Sequence, residues 1–520
     1  MIKTLDHFNR RDVLMAGAAT AIGLGISPQS WAQAAPKRGG RMRLGVAGAN
    51  SGDSHDPATW GTSAIINLGL WAGVYNNLME IGPDNKVAPE LAESVEPSKD
   101  AKTWTFKLRH GVTFSNGKTL DADDVVASIN HHRGEQSKSA AKGVLAGITD
   151  VRADGKDKVV FTLSSGSADF PTAVTDYHLP IGPAKDGKVD WEAAIGTGGY
   201  TLVSHERGVK MLLKRNPTYW KSGRAWFDEV ELINIADLAA RMNAMVSGQV
   251  DVIGAPDIKT LTLLQRNKDV VVEESTGTQQ YTMPMFTDVA PFNDVNVRLA
   301  LKFALDRKAM VQTILRGHGR PGNDSPITPA NVYFSEAVQP RPYDPEKSKF
   351  YLKQAGMSSL KVDLSASDAA FTGAVDTAVL FKEHASKAGI DINVVREPND
   401  GYWTNVWRKK PFCMCYWAGR PTEDWMFSQV YAKGTPYNDT HWDNERFNKL
   451  LVEARAELDT SKRRTMYGEM QQLVSDDGGV IIPMFANMLL ARSTKVGHAK
   501  AVGSNLPLDG WKCVERWWFA

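Results

Sequence analysis

At 520 residues the chain is too long for one ordinary core, and 42% hydrophobic with 23% charged residues is the balance of a folded globular protein, not a disordered or fibrous one. A formal charge of +2, with no long basic run, argues against nucleic acid as a partner. The 15 tryptophans offer flat apolar faces with one donor each, which suit small-ligand pockets as well as cores.

Residues 1–34 read as an export signal. Arg10 and Arg11 precede an uncharged stretch from Val13 to Ile26, too short to span a bilayer, and Ala32-Gln33-Ala34 supplies small residues for cleavage. Arg-Arg followed by Asp12, Val13 and Leu14 resembles the twin-arginine signal that exports folded proteins; a basic start to a Sec-type signal is the plainer alternative. The mature chain is expected to begin near Ala35, to carry no membrane helix and to be free in the periplasm.

After the signal, "GGRMRLGV" predicts a strand from Arg41, and "NSGDSHDPATW" a polar loop. In "KTWTFKLRHGVTFSNGKTL", Trp104, Phe106 and Leu108 alternate, turns fall at His110-Gly111 and Asn116-Gly117, and Val112 and Phe114 continue the pattern, which predicts an antiparallel meander. Asp121 and Asp124 have capping-box spacing ahead of a helix through Val125, Val126 and Ile129. "DVRADGKDKVVFTLSS" predicts another hairpin.

From about residue 290 the pattern changes. Val297, Ala300, Leu301, Ala304 and Leu305 share a helical face, and Val311, Ile314 and Leu315 extend it to a stop at Gly317. "LKVDLSAS", "AVDTAVLFKEHASKAGI" and "DINVVREP" read as strand, helix and strand; Phe447, Leu450, Leu451, Ala454 and Leu458 line up on a later helix. This order argues for an α/β lobe. "GGVIIPMFANMLLA" is an apolar run long enough to cross between two lobes. The residues thus predict an exported, two-lobed α/β protein with its ligand pocket between the lobes.

Catalytic signatures are scarce. No G-x-S-x-G elbow, H-E-x-x-H helix or G-x-x-x-x-G-K loop is present. "GTGGY" (196–200) reads as a turn, and His131-His132 as a solvated helix face. Asp53, His55 and Asp56 form a mixed cluster suited to pocket lining or loop capping. Cys413, Cys415 and Cys513 are the only cysteines; the odd count leaves at least one thiol free, and buried, inert thiols on a core strand "FCMCYW" are expected.

Several segments together resemble bacterial extracellular solute-binding protein family 5, the dipeptide, oligopeptide, opine and nickel-complex receptors of ABC importers. They are "LAESVEPSKDAKTWTFKLRHGVTFSNGKTLDADDVVASI" (91–129), "PFNDVNVRLALKFALDRKAMV" (291–311), "YDPEKSKFYLKQAG" (343–356) and "NDTHWDNERFNKLL" (438–451). The resemblance implies an α/β, two-lobed periplasmic binding protein of class II type, cluster C-like, with an extra subdomain in lobe one. Lobe one is expected at 35–283 plus 487–520 and lobe two at 284–486, with "GTQQYTMPMF" and "IIPMFANMLL" crossing between them. It implies no enzyme activity and no cofactor. The expected partners are a small-molecule solute and an inner-membrane ABC permease, and the protein is expected to be a monomer.

One departure from the family is informative. In the peptide receptors the segment matching Trp417-Ala418-Gly419-Arg420 ends in an aspartate that pairs with the peptide's amino terminus; here it ends in Arg420. A guanidinium repels an ammonium and grips a carboxylate through two parallel charge-assisted bonds, worth about 1.5–3 kcal/mol in a closed cleft. The resemblance therefore implies a carboxylate-bearing polar solute: an opine-like conjugate, an organic acid or a peptide. Trp417, with Trp403 or Trp407, supplies flat walls. Asn438 matches a position near the cleft, with Trp442 after it in a packing role; Ser54 and His55 reach from lobe one, and Gln279, Gln280 and Tyr281 lie at the hinge. The bland alternative for Arg420 is an internal salt bridge to Glu423 or Asp424. The alternative functions are a metal-chelate (nickel-type) receptor, a secreted cofactor-dependent enzyme, and a chaperone-like or structural periplasmic protein.

Overall fold

The computed structural model of the protein describes residues 36–61 and 63–520; the export-signal expectation for 1–34 lies outside the described residues. Three sheet systems organise the chain. The first has seven strands in the order Tyr200–Glu206, Lys210–Arg215, Glu229–Asn234, Arg41–Val46, Val252–Gly254, Met488–Ser493 and Val270–Ser275. Arg41–Val46 runs parallel to both of its neighbours, and the remaining pairs are antiparallel. Met42, Leu44, Val230 and Leu232 are fully buried in this lobe-one core.

The second system is the extra subdomain, a four-stranded antiparallel sheet in the order Ala92–Pro97, Thr103–Leu108, Lys158–Leu163 and Ile148–Ala153. Trp104, Phe106 and Leu108 alternate into its core. The hairpin turning at Gly155 (φ 77°) forms where the sequence placed it. The meander does not continue in full: Val112 and Phe114 are buried, but beyond the strand only an isolated bridge, Thr113 to Thr119, forms. Thr103–Leu108 instead takes both partners from elsewhere in the chain. The helix Ala122–Asn130 covers the sheet, and its capping box is complete: Asp121 accepts from the Asp124 amide, and Asp124 from the Asp121 amide.

Lobe two carries a four-stranded sheet, Gly319–Pro321, Val480–Ala486, Gln280–Pro284 and Cys415–Trp417, and a parallel pair, Leu360–Ala366 with Ile390–Arg396. The helix Ala374–Ser386 connects the parallel pair as the βαβ pattern requires. The predicted continuous helix from Val297 to Leu315 is two helices, Val295–Phe303 and Arg307–Ile314, because the Asp306 carboxylate caps the second one at the Ala309 amide, 2.9 Å away. Leu458 lies beyond the helix Glu445–Ala456 and is exposed, whereas Phe447, Leu450, Leu451 and Ala454 are buried, each of the three larger side chains contributing about 1.5–3 kcal/mol.

Packing corrects one further expectation and refines another. The 196–200 segment bends into the strand from Tyr200 as expected, and a Cβ at Gly196 would lie 2.0 Å from the Val74 carbonyl oxygen, so glycine also lets two backbones touch there. His132 is fully buried and shares a 2.7 Å hydrogen bond with the Ser139 hydroxyl, while only His131, paired with Asp56 at 2.6 Å, faces outward. The three cysteines are free and buried, and burial pushes all three thiols up. Only Cys415 lies in a regular strand; Cys413 makes a single bridge to Ser365. Among the described residues no helix is long and apolar enough to cross a membrane.

Candidate functional site

The site forms where the chain passes between the lobes. Gln280–Pro284 pairs with Cys415–Trp417 in the register Gln280 to Trp417, Tyr281 to Tyr416 and Thr282 to Cys415. Alternation therefore sends Gln280 and Trp417 to one face and Tyr281 and Tyr416 to the other. Just beyond Trp417, a Cβ on Gly419 would lie 2.0 Å from Thr278, so glycine lets the loop sit directly on the crossing segment. This contact places Arg420 at the lobe junction.

Arg420 forms neither of the salt bridges that the bland alternative requires. Glu423 accepts from the Tyr333 amide at 2.6 Å, and Asp424 pairs with Arg455 at 3.1 Å. The Arg420 Nε donates to the Gln429 side-chain oxygen (2.6 Å), and Nη1 donates to the Ala418 carbonyl (3.0 Å). Its guanidinium carbon stands 5.8 Å from the Trp417 ring centroid. Among the described residues Nη2 has no acceptor, and no carboxylate lies within salt-bridge distance of the guanidinium. Burial lowers the Arg420 pKa, opposed by the phenols of Tyr177, Tyr437 and Tyr416.

Tyr177 packs within lobe one, yet it is near enough to Arg420 for each to influence the other's ionisation across the junction. Burial pushes the Tyr177 phenol up to about 12, with Asp176 raising it further and Arg420 opposing the rise. Tyr177 packs against Trp71 and Trp511, at 6.3 and 5.7 Å between ring centroids. On the lobe-two side Trp403, Trp407, Tyr416, Trp417 and Tyr437 form one aromatic cluster with centroid separations of 5.7–6.2 Å. Trp403, Tyr416 and Tyr437 are its exposed members. The Trp407 and Trp417 indoles both donate to one oxygen of buried Asp439, at 3.0 and 3.2 Å. Burial pushes this carboxyl up to about 6 against those donors.

The other predicted residues divide. Tyr281 is half-buried and stacks on Phe371 at 3.9 Å. Gln280 is buried, with its amide nitrogen toward the Met426 sulfur and its oxygen unpartnered. Asn438 is committed to its own loop: it donates to the Ala432 and Trp442 carbonyls and accepts from Thr440. Trp442 is buried, with its indole N–H on Asp477. Ser54 and His55 join a lobe-one cluster, His55 contacting His205 at 3.0 Å and the Glu192 carbonyl at 3.1 Å, and the Ser54 hydroxyl oxygen accepting from the Asp56 amide. None of these contacts reaches Arg420. Sequence reasoning missed Tyr177, Tyr437, Tyr416 and Asp439, and nothing in the local pattern marks Tyr177 or Asp439. A cavity of about 320 Å³ lies on the flank of the junction, walled by Leu163, Asp169 and Phe170 from the subdomain and by Asp424, Trp425 and Arg455 from lobe two.

Two α/β lobes joined by paired crossing strands flank an aromatic-walled junction with Arg420 at its edge. The chain belongs to the bacterial extracellular solute-binding proteins, family 5, whose middle-region profile matches residues 86–439. It is similar to the glutathione-binding protein GsiB of Escherichia coli K12, at 23% identity over 436 residues, 81% of this chain and 85% of that protein. In fold it is similar to HbpA2 from Haemophilus parasuis (TM-score 0.79, 21% identity, 91% of this chain and 99% of that one). The fold likewise matches the binding protein AgaA from A. tumefaciens R10 in complex with agropinic acid (TM-score 0.72, 24% identity, 92% and 99%). Members of this family are periplasmic or extracellular binding proteins that deliver solutes to ABC permeases, and this chain is the solute-binding component of such an importer.

Proposed function

We propose that the protein captures a small, carboxylate-bearing polar solute between its lobes, with Arg420 as the anion's anchor. One observation carries the reading: the Arg420 guanidinium is half-buried at the lobe junction and has no carboxylate partner among the described residues. Buried cations are ordinarily paired, so a supplied carboxylate completes this group. The aromatic cluster of Trp403, Trp407, Tyr416, Trp417 and Tyr437 provides flat walls for the rest of the solute. The relatives support the charge preference, since glutathione and agropinic acid both carry carboxylates. We take the expected division, lobe one 35–283 with 487–520 and lobe two 284–486, with its first boundary moved to the start of Gln280–Pro284, since that strand pairs only within the lobe-two sheet. We take the protein as a monomer exported to the periplasm by the twin-arginine route, and the chain as having no enzymatic activity.

The test is native mass spectrometry of protein purified without denaturant, followed by the mass of what leaves on unfolding. A carboxylated small molecule is expected, and Arg420→Asp is expected to abolish its retention. A metal complex would replace this reading with the chelate one. Retention unchanged in Arg420→Asp would remove Arg420 from the site.

A further inference from the structure

The lobes also touch on the subdomain side, through residues other than Arg420. There the 165–173 segment of the extra subdomain lies against the end of the helix Glu445–Ala456 and the start of the helix Thr460–Asp477. The Ala168 amide donates to the Arg455 carbonyl at 2.7 Å, and the Asp169 carboxylate meets the Arg463 guanidinium at 2.7 Å. A Cβ on Gly166 would lie 2.3 Å from the Asp100 carbonyl oxygen of its own subdomain and 3.0 Å from the Ala456 side chain, so glycine keeps this segment flat enough to meet lobe two.

The two partners in the ion pair are prepared differently. Arg463 is held entirely by lobe two: its Nε donates to the Ala454 carbonyl (3.2 Å), Nη1 to the Tyr333 hydroxyl (3.2 Å) and Nη2 to the Tyr467 hydroxyl (3.3 Å). Its guanidinium also lies over both phenol rings, at 4.9 and 5.3 Å. Asp169 stands just before the short helix Phe170–Ala173 but makes no side-chain cap there. Its carboxylate serves the other lobe instead of its own helix. With side-chain exposures of 6% for Arg463 and 17% for Asp169, the pair is shielded enough to exceed the small value of a surface bridge.

We propose that Asp169 is a positioning residue for lobe closure: its ion pair with the pre-set Arg463 latches the extra subdomain to lobe two and biases the solute-free receptor towards the closed form. The latch roofs the flank cavity and shares no residue with the Arg420 group. A ligand shifts a two-state equilibrium only by its differential affinity, so a solute-independent latch sets the starting point from which any solute works. This inference needs the lobes to separate; it does not need Arg420 to bind a carboxylate.

Double electron–electron resonance tests it. Spin labels are placed at Asp154→Cys on the subdomain and Val452→Cys on lobe two, both exposed positions, while the three native thiols are buried and resist labelling. Protein stripped of solute by unfolding and refolding is expected to show a measurable short-distance population beside the open one. Asp169→Asn should lower the closed-to-open ratio about ten-fold, within the usual range of coupling between sites. Asp169→Glu, which keeps the charge, should restore much of the short-distance population, and Arg446→Gln, which breaks an exposed pair within lobe two, should leave the distribution unchanged. Circular dichroism checks that the variants fold. A wild-type receptor that is fully open without solute, or an Asp169→Asn distribution that matches wild type, would overturn the latch.

Discussion

Lys221→Met is expected to be the most damaging single substitution in lobe one. The Lys221 ammonium lies 3.2 Å from Glu80, 2.6 Å from Glu90 and 3.1 Å from Glu515, with the Glu90 and Glu515 side chains fully or nearly fully buried. Lys512 and Arg516 lie 3.8 Å from Glu90 and 3.1 Å from Glu80, and Arg224 reaches Glu515 at 3.9 Å. Removing Lys221 takes away the one cation shared by all three carboxylates and leaves Glu90 only the 3.8 Å contact to Lys512. Breaking a buried pair from one side costs about 3–5 kcal/mol. With a urea slope of roughly 3 kcal/mol/M for a lobe of this size, the midpoint should fall by about 1 M or more. The pH dependence adds a second signature. Burial alone would raise the Glu515 carboxyl, but Lys221, then Lys512 and Arg516, hold it down at about 2. In the intact protein its contribution is full above the ordinary carboxylate range and is lost as pH falls through about 2. In Lys221→Met the unpaired carboxylates take up protons far more readily, so the deficit seen at pH 7 should narrow towards pH 4.5. The assay is urea unfolding by tryptophan fluorescence at both pH values. An unchanged midpoint at pH 7, or a deficit of equal size at both, would refute the reasoning.

Three further outcomes are expected. Arg420→Gln removes a desolvated and unpaired charge, so the solute-free protein should melt at the same temperature or higher while its retained solute is lost; a lower melting temperature would show that Arg420 is chiefly structural. Asp439 has its carboxyl raised from the ordinary value to about 6, so the folded state binds its proton more tightly and stability falls as pH rises between about 4 and 6. Asp439→Asn, which can still accept from both indoles, should gain up to about 3 kcal/mol over wild type at pH 7 and little at pH 4, measured by differential scanning calorimetry. Gly419→Ala drives a methyl into Thr278 and should reduce solute retention with Arg420 still present, which native mass spectrometry would detect.

Local signals carried much of the fold. The Asp121 cap, the alternating Trp104, Phe106 and Leu108, and the strand–helix–strand run from 360 to 396 depend on neighbours close in sequence, and each appears where its pattern placed it. The break between Phe303 and Arg307 was hidden because apolar spacing continues through it, and only the Asp306 carboxylate stops the helix. The site was legible at one point, Arg420, because a charge of the wrong sign for an ammonium stands there. Its company was not legible. Glu423 accepts from Tyr333 and Asp424 from Arg455, partners 90 and 31 residues away, so proximity in sequence predicted a pairing that the fold gives to others. Tyr177 influences Arg420 from the opposite lobe, and no local periodicity encodes an approach between lobes. Asn438 shows the converse: a polar residue at a cleft-like position whose capacity is spent within its own loop.

The paired crossing strands carry a mechanical consequence. Val270–Ser275 pairs with Met488–Ser493 in one sheet, and Gln280–Pro284 with Val480–Ala486 in the other, so the two passages form one antiparallel ribbon interrupted only around 276–279 and Asn487. At that gap the Gln279 carbonyl accepts from the Ala486 amide at 3.0 Å, and a Cβ on Gly277 would lie 2.3 Å from the Ala486 carbonyl oxygen. A ribbon tied on both sides of its gap flexes like a leather strap: it folds about one line and resists sliding or swivelling. The lobes are thereby restricted to a single track of motion, so a permease that distinguishes loaded from empty receptor has one coordinate to sense.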